Sequence, residues 1–265
     1  MSGTIRLLTL SVESRLIVGA AAAGLVVAVS RVLGVPVSAP LTLAVMAATT
    51  LIYILDRGID RRSTPGPLPR GILLVGVAAG GSLLGVLPLL AGETRLAILL
   101  GLPLCLLYAV PLPISRPWSR PKDHPVGKAL MVATLVTGAT VLLPLLEAGS
   151  PVPLPSIIAA LSWVFPILLV NAVACDLRDV EADRRIGQRT IATELGGPTT
   201  RALLALAAVA LGAASLLGAL LGLLPRGCLV AALLLTGAIV GLGPERPRWA
   251  WGLCLDGALL PLLLS

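Results

Sequence analysis

Three aspartates lie close together at the end of a long apolar stretch of the chain, in the segment NAVACDLRDVEADRRIG. Because an α-helix has about 3.6 residues per turn, a helix that continues through them would bring Asp176, Asp179 and Asp183 onto one face. Carboxylates gathered in this way repel one another unless a cation lies between them. Carboxylate oxygens are ligands for hard divalent cations such as Mg²⁺, so the spacing predicts a metal site.

A second acidic pair, Asp56 and Asp60, follows another apolar stretch far away in the sequence. These two residues are about one helical turn apart, and Tyr53 precedes Asp56 by about one more turn. Mg²⁺ prefers a few carboxylates together with water and phosphate oxygens over a site built from protein ligands alone. If the two clusters face each other, all five aspartates become candidate catalytic and metal-ligating residues, and a diphosphate would supply the missing ligands.

Basic residues flank both acidic clusters, as the binding of a diphosphate anion requires. Our candidates for substrate binding are the basic residues Arg57, Arg70, Lys122, Lys128 and Arg189, together with Tyr53, Tyr108 and Asn171. Lys and Arg residues next to membrane spans also serve as orientation signals, so this second reading of each basic residue remains open.

The elements that must position these residues are membrane helices. Hydrophobic residues make up 57% of the 265 residues, charged residues make up only 12%, and the mean hydropathy is +0.99, a composition that excludes an ordinary soluble protein. Apolar runs of about 16 to 24 residues are long enough to cross a bilayer as helices. They predict nine spans, at residues 16–33, 41–55, 71–91, 96–112, 129–146, 157–175, 202–224, 228–242 and 249–264. We therefore expect an all-α membrane protein that forms a single polytopic domain over residues 1–265.

The distribution of basic residues predicts how these spans are oriented. With nine spans, 17 of the 20 Lys and Arg residues fall on the side that carries both acidic clusters, and only Arg31, Arg95 and Arg226 fall on the other. The positive-inside rule makes the richer side cytoplasmic, which places the N-terminus inside and the C-terminus outside, in a bacterial cytoplasmic membrane. The net charge of +7 then reflects topology, and nucleic-acid binding is a poor explanation for it.

A few other polar residues within or near the spans have simpler readings. Asn171 and Asp256 lie inside predicted spans, where polar side chains usually face the bundle interior, and Asp256 is expected near a basic residue. His124 is expected to be a surface loop residue. The cysteines lack metal-type spacing and are expected to be packing residues: Cys105, Cys175, Cys228 and Cys254.

The segment DLRDVEADRRIGQRTIATELG resembles the second Asp-rich motif of the UbiA superfamily of intramembrane prenyltransferases. The residues that carry the resemblance are Asp176, Asp179, Asp183, Gly187, Arg189, Thr190 and Gly196. Members of the superfamily pair two such motifs on the second and sixth of nine helices, and the resemblance extends over nearly the whole chain. It implies a UbiA-like bundle of nine helices around a central cavity.

The first motif departs from the superfamily pattern, which reads Asn-Asp-x-x-Asp-x-x-x-Asp. Asp56 and Asp60 match its last two acids, but Ile52 and Tyr53 stand where the Asn and the first Asp would be. The departure removes one carboxylate, and it keeps open the alternative of a UbiA-like terpene cyclase or a non-catalytic isoprenoid-binding relative.

The resemblance implies a magnesium-dependent transfer of an isoprenyl group from an isoprenyl diphosphate to a hydrophobic acceptor, aromatic or lipid-like, within the membrane. Tyr53 and Tyr108 are then the aromatic residues that would stabilise the allylic cation. A cation-coupled transporter is a further alternative, although transporters favour carboxylates near the bilayer midplane, whereas these lie at the ends of predicted spans.

Overall fold

A computed structural model describes residues 15–59, 67–107, 110, 123–241 and 248–264. Over these residues the chain is helical and contains no β-strand. The helices are α1 (Leu16–Leu33), α2 (Ala39–Ile59), α3 (Arg70–Val86), α4 (Gly92–Leu107), α5 (Gly127–Ala148), α6 (Leu154–Arg185), α7 (Ile191–Leu195), α8 (Gly197–Leu220), α9 (Arg226–Gly241) and α10 (Arg248–Gly257). Short 3-10 helices follow α3 at Leu87–Leu89 and α10 at Leu260–Leu264.

Each predicted span overlaps one of these helices, which confirms the all-α fold class. Within the described residues, six helices are long and apolar enough to cross a membrane, namely α1, α2, α3 with its 3-10 extension, α5, α6 and α8. The helices α4, α9 and α10 are shorter, so the count of nine spans stays a prediction. The sequence analysis did not predict α7, because this helix of five residues is too short to have an apolar period.

Helix α1 lies at the centre of the bundle, where it packs against α2, α5, α6 and the C-terminal 3-10 helix. Small side chains allow this close packing. A Cβ atom added at Gly19 would collide with Thr50 Oγ1 and would lie 2.7 Å from the carbonyl oxygen of Met46. The backbones of α1 and α2 therefore approach each other as closely as only glycine permits.

The outer helices turn large apolar side chains away from the protein interior. On α3, for example, Leu74, Val77 and Leu84 are each at least 70% exposed. An apolar face of this size on a water-soluble protein would drive aggregation, but on a membrane helix it faces the lipid chains.

Hydrogen bonds tie the helices of the second half of the chain together. The indole Nε1 of Trp163 on α6 donates to Ser215 Oγ on α8 at 3.0 Å, in a buried position. The hydroxyl of Thr236 on α9 donates to the carbonyl oxygen of Ala208 on α8 at 3.0 Å. Both polar side chains thus find partners across helix interfaces, which is favourable where water is absent.

The two ends of the bundle are chemically different. At one end, Glu147 at the end of α5 accepts hydrogen bonds from the Ser38 hydroxyl (3.3 Å) and from the backbone N–H of Ala91 (3.1 Å). It thereby joins the start of α2 to the segment that follows α3. The opposite end holds the final turns of α2 and α6 and the first turn of α5, which carry most of the predicted site residues.

Candidate active site

Helix α6 continues far enough to carry all three aspartates of the second cluster, and it ends at a glycine. Gly187 has a φ of +68°, which favours glycine, and its N–H donates to the carbonyl oxygen of Arg184 at 3.2 Å. The N–H of Gln188 donates to the carbonyl oxygen of Asp183 at 2.8 Å. These two bonds form a Schellman motif, which ends the helix one turn after Asp183.

Two of the aspartates converge on the side chain of Lys128. Its Nζ lies 2.6 Å from Asp176 Oδ1 and 3.9 Å from Asp183 Oδ2. The side chain of Asp176 is only 1% exposed and that of Asp183 is 11% exposed. Among the described residues, Asp176 Oδ2 has no hydrogen-bond partner although it is buried. A buried carboxylate oxygen in this state is costly, and a cation is the partner that would relieve it.

The start of α5 is what brings Lys128 to this position. His124, an exposed residue of the preceding turn, accepts hydrogen bonds through Nδ1 from the N–H groups of Val126 (3.3 Å) and Gly127 (3.2 Å). The imidazole therefore accepts from two of the backbone N–H groups at the helix start, which have no partner within the helix. Lys128 lies in the first helical turn, where the helix dipole disfavours a positive charge, so its nearby carboxylates offset an unfavourable location.

The third aspartate of the cluster is held by a different cation. Asp179 receives a two-pronged interaction from Arg178, with Nη2 at 2.5 Å from Oδ2 and Nε at 3.2 Å from Oδ1. The Arg178 side chain is only 7% exposed. Asp179 therefore turns toward Arg178, whereas Asp176 and Asp183 turn toward Lys128. The predicted role of Asp179 as a metal ligand stays a prediction.

Asp256, an acidic residue on α10, lies near Arg178. The Asp256 side chain is buried and accepts a hydrogen bond from Asn171 Nδ2 on α6 at 3.4 Å. The charges of Arg178 and Arg15 both act on the Asp256 carboxylate. Asp256 thus faces the interior near basic residues, as expected for an acid within a span.

The end of α2 carries Asp56, the described member of the first acidic cluster. The Tyr53 ring lies under the Arg15 guanidinium, with Cζ 5.9 Å from the ring centroid, within the range of a cation–π interaction. The charges of Asp56 and Asp256 both act on the Tyr53 hydroxyl. Tyr53 on α2 and Asn171 on α6 thus both lie near Asp256, the first through its charge and the second through a hydrogen bond. Two residues in the final turn of α2 are half-buried, Asp56 and Arg57.

The segment after α6 has its own local order. Thr190 caps α7, because its Oγ1 accepts from the N–H of Thr193 while Thr193 Oγ1 accepts from the N–H of Thr190. Arg189 Nε donates to Glu194 Oε1 at 2.6 Å, and this hydrogen bond holds the pKa of the Glu194 carboxyl below its ordinary value. Arg189, predicted to bind substrate, is thus part of an exposed ion pair with Glu194.

The remaining predicted site residues are spread more widely. Arg70 is exposed at the first position of α3, next to the connector that follows α2. Asp60, Tyr108 and Lys122 lie outside the described residues. Of the four cysteines, Cys228 is fully buried and the others are partly buried, in keeping with a role in packing.

The donor set at Asp176 and Asp183 suits a hard cation chemically, but basic side chains already occupy the space. Within the described ranges, no group of three or more Asp, Glu, His or Cys side chains is arranged to hold a metal ion. Asp176 pairs instead with Lys128, and Asp179 pairs with Arg178. The carboxylates and the buried oxygen of Asp176 fit magnesium, and Lys128 competes with it.

From the sequence, a salt-bridged helix end with the interleaved arginines was an alternative reading of the second cluster, but the pairing with Lys128 and the contact between Arg15 and Tyr53 were not predicted. Arg178 and Lys128 were visible as basic residues near the acids, but their partners depend on how α5 and α6 pack. Arg15 precedes the first apolar run, where a basic residue signals only a membrane boundary. No pattern in the sequence pairs it with a tyrosine on another helix.

The fold and the site together define an integral membrane protein whose helical bundle holds a buried polar site at one end. No protein-family model matches the sequence, and no curated protein matches it. Solved structures do match. A UbiA homologue from Aeropyrum pernix in its apo form is 16% identical, with a TM-score of 0.57, over 94% of this chain and 97% of that one.

Two further structures share the same fold over nearly their full length. A UbiA homologue from Archaeoglobus fulgidus bound to GPP and Mg²⁺ is 14% identical, with a TM-score of 0.52, over 100% of both chains. A digeranylgeranylglyceryl phosphate synthase is 14% identical, with a TM-score of 0.51, over 99% of this chain and 98% of that one. The chain therefore has the UbiA fold.

Proposed function

We propose that this protein is a UbiA-type prenyltransferase that moves an isoprenyl group from an isoprenyl diphosphate to a hydrophobic acceptor within the membrane. The observation that carries the proposal is the convergence of two buried carboxylates, Asp176 and Asp183, on one cation position at the end of a UbiA-like bundle. The A. fulgidus homologue bound to GPP and Mg²⁺ and the digeranylgeranylglyceryl phosphate synthase support this choice of substrate class.

The proposal assigns the metal to the two acidic clusters. The residues that would hold magnesium are Asp56, Asp60, Asp176, Asp179 and Asp183. Magnesium, when bound, supplies the positive charge that neutralises the diphosphate as the leaving group. The buried oxygen of Asp176 that lacks a hydrogen bond, and the electrostatic link between the end of α2 and Asp256, support a shared site.

The other polar residues bind and orient the substrate. The basic residues proposed to contact the diphosphate are Arg57, Arg70, Lys122, Lys128 and Arg189. Tyr53 and Tyr108 would present ring faces to the allylic cation, and Asn171 would line the pocket beside Asp256. The apolar walls of the bundle keep water from the cation until the acceptor attacks it.

Topology belongs to the same proposal. The chain would form one polytopic domain of nine spans in a bacterial cytoplasmic membrane, with its N-terminus in the cytoplasm. The concentration of the described acidic clusters at one end of the bundle supports placing that end on the cytoplasmic side, where 17 of the 20 basic residues are predicted.

Diphosphate release by the purified protein tests the function. The protein in detergent is given a panel of isoprenyl diphosphates of increasing chain length, with a membrane lipid extract and aromatic compounds as sources of a hydrophobic acceptor. It should release diphosphate from at least one isoprenyl diphosphate of the panel, and only with Mg²⁺ and an acceptor present. Asp176→Asn and Asp183→Asn should each lower the rate by about 100-fold or more. Each change removes a negative charge that would hold the positive charge facing the leaving diphosphate.

The matched control is Glu181→Gln in the same helix end. Glu181 is 72% exposed and pairs with Arg184 on the surface, so its loss should leave the rate nearly unchanged. Failure of the wild type to release diphosphate from any chain length would refute the proposal. An equal loss of rate in Glu181→Gln would show that the rate depends on the total charge at the helix end and not specifically on Asp176 and Asp183.

A non-catalytic isoprenoid-binding protein is the second candidate. The ion pairs of Lys128 with Asp176 and of Arg178 with Asp179 favour it, because they neutralise the acids without a metal. This candidate predicts binding of isoprenyl diphosphates without release of diphosphate. Release without any acceptor, with a cyclic hydrocarbon as the product, would instead identify a terpene cyclase.

A further inference from the structure

We infer that Lys128 is a built-in cation that takes the place of one magnesium ion at the acidic cluster, so that this site binds an isoprenyl diphosphate with a single magnesium. The inference rests on the proposed function and concerns how its metal site is composed. It is carried by the position of the Lys128 ammonium, by the charge balance of the cluster and by the location of Lys128 in its helix.

The ammonium of Lys128 occupies the space between the two buried carboxylates. It lies 2.6 Å from Asp176 Oδ1 and 3.9 Å from Asp183 Oδ2. A magnesium ion bound to both carboxylates would lie about 2.0–2.1 Å from their oxygens, and so would need the same space. Two cations this close in a buried site repel strongly, because little water is present to screen them. While Lys128 stays in place, a metal that bridges Asp176 and Asp183 is excluded, so the single magnesium would be held by the remaining carboxylate oxygens of the two clusters, such as Asp176 Oδ2.

The charges of the cluster are largely balanced before any metal arrives. Asp176, Asp179 and Asp183 carry three negative charges, and the paired side chains of Lys128 and Arg178 carry two positive charges. The net charge of this group is therefore −1. A diphosphate is itself an anion and needs positive charge around it, so each cation that the chain supplies replaces charge that metal ions would otherwise bring.

The location of Lys128 indicates that the carboxylates hold it. A positive charge in the first turn of a helix is disfavoured by the helix dipole, and so is a negative charge such as Asp183 in the last turn. Here the start of α5 meets the end of α6, and each unfavourable charge compensates the other. The N–H groups of the two residues that precede Lys128 donate to His124 Nδ1 with hydrogen bonds of 3.2–3.3 Å, and these bonds hold the backbone that leads into Lys128.

The first acidic cluster also departs from the pattern that this chain resembles, and this departure too lowers the need for metal ions. Ile52 and Tyr53 stand where the pattern that this chain resembles has an amide and a carboxylate. The chain thus has one acid fewer near the metal position and one basic side chain within it. Both differences lower the number of divalent ions needed to neutralise the negative charge of the carboxylates and the diphosphate.

Counting bound manganese tests the inference. Mn²⁺ replaces Mg²⁺ and is counted by electron paramagnetic resonance, on the full-length protein in lipid nanodiscs saturated with an unreactive isoprenyl thiodiphosphate. Wild type is expected to bind one Mn²⁺ per chain. Lys128→Met, which keeps the side-chain length but removes the charge, is expected to bind two. The control Arg184→Met removes a charge that pairs with Glu181 on the surface, and should bind one.

Two Mn²⁺ ions in the wild type would overturn the inference, and so would the same count in Lys128→Met as in the wild type. If Lys128→Met does not fold, the wild-type count still decides, and Lys128→Arg, which retains the charge, is expected to bind one ion. The proposed function fails separately. Absence of diphosphate release from every chain length would refute it, whereas two ions in a protein that releases diphosphate would refute the inference alone.

Discussion

Replacing Gly187 by Ala tests whether the end of α6 positions Asp183. Gly187 has a φ of +68°, a backbone conformation in which a Cβ atom costs about 1–2 kcal/mol. No atom lies within 4 Å of the added Cβ, so the cost comes from the backbone and not from a steric clash with neighbouring helices. The chain can relieve the strain by opening the last turn, in which the carbonyl oxygen of Asp183 accepts from Gln188 at 2.8 Å. Such a change would move Asp183 away from Lys128.

The matched control is Gly34→Ala at the end of α1. Gly34 has a φ of +71°, and its N–H donates to Arg31 O at 3.2 Å while the N–H of Val35 donates to Ser30 O at 2.9 Å. This Schellman motif has nearly the geometry of the one at Gly187, and an added Cβ again meets nothing within 4 Å. Gly34 lies in the connector that leads to α2, at the end of the bundle opposite the acidic clusters. It therefore reproduces the strain without touching the site.

Thermal unfolding in detergent and steady-state diphosphate release measure the two effects. Both variants should lose about the same stability, near 1–2 kcal/mol, which corresponds to a fall in Tm of several degrees for a chain of this size. Only Gly187→Ala should lower kcat/KM for release, by up to about 100-fold if Asp183 shifts by about 1 Å. Equal kinetic losses in both variants, or an unchanged Tm in Gly187→Ala, would show that the reasoning about this helix end is wrong.

Three further predictions concern the bundle. Gly19→Ala should destabilise the protein by about 1–3 kcal/mol, because its Cβ would lie 2.7 Å from a backbone oxygen of α2. The control Gly80→Ala meets no atom within 4 Å and should be neutral or slightly stabilising. Thermal unfolding of the two variants compares their stabilities. Glu147→Gln should lower the Tm without changing the magnesium dependence of diphosphate release, since it weakens charge-assisted bonds of 3.1 and 3.3 Å at the end of the bundle remote from the site. Reporter fusions after residues 66 and 188 should both report the cytoplasm, and one external signal would refute the predicted topology.

The sequence alone determined the fold class and the helices that carry the site. Long apolar runs can satisfy their backbone hydrogen bonds in a membrane only as helices, so composition and length were enough to predict an all-α bundle. The spacing of Asp176 and Asp183 placed both on one helical face, because that relation is local and follows from the helix period. Gly187, matched by resemblance, also has a local role, since a positive φ at a helix end favours glycine.

The tertiary structure alone decided which cation lies beside each acid. Asp176 and Asp183 face Lys128, whereas Asp179 turns to Arg178, although the sequence predicted a single metal site for all three acids. The choice depends on how α5 approaches α6 and on the rotation of each helix about its axis, which is a property of the packing. Hydrophobic periodicity carries little of this information here, because lipid and protein interior are both apolar and each helix is apolar on nearly every side.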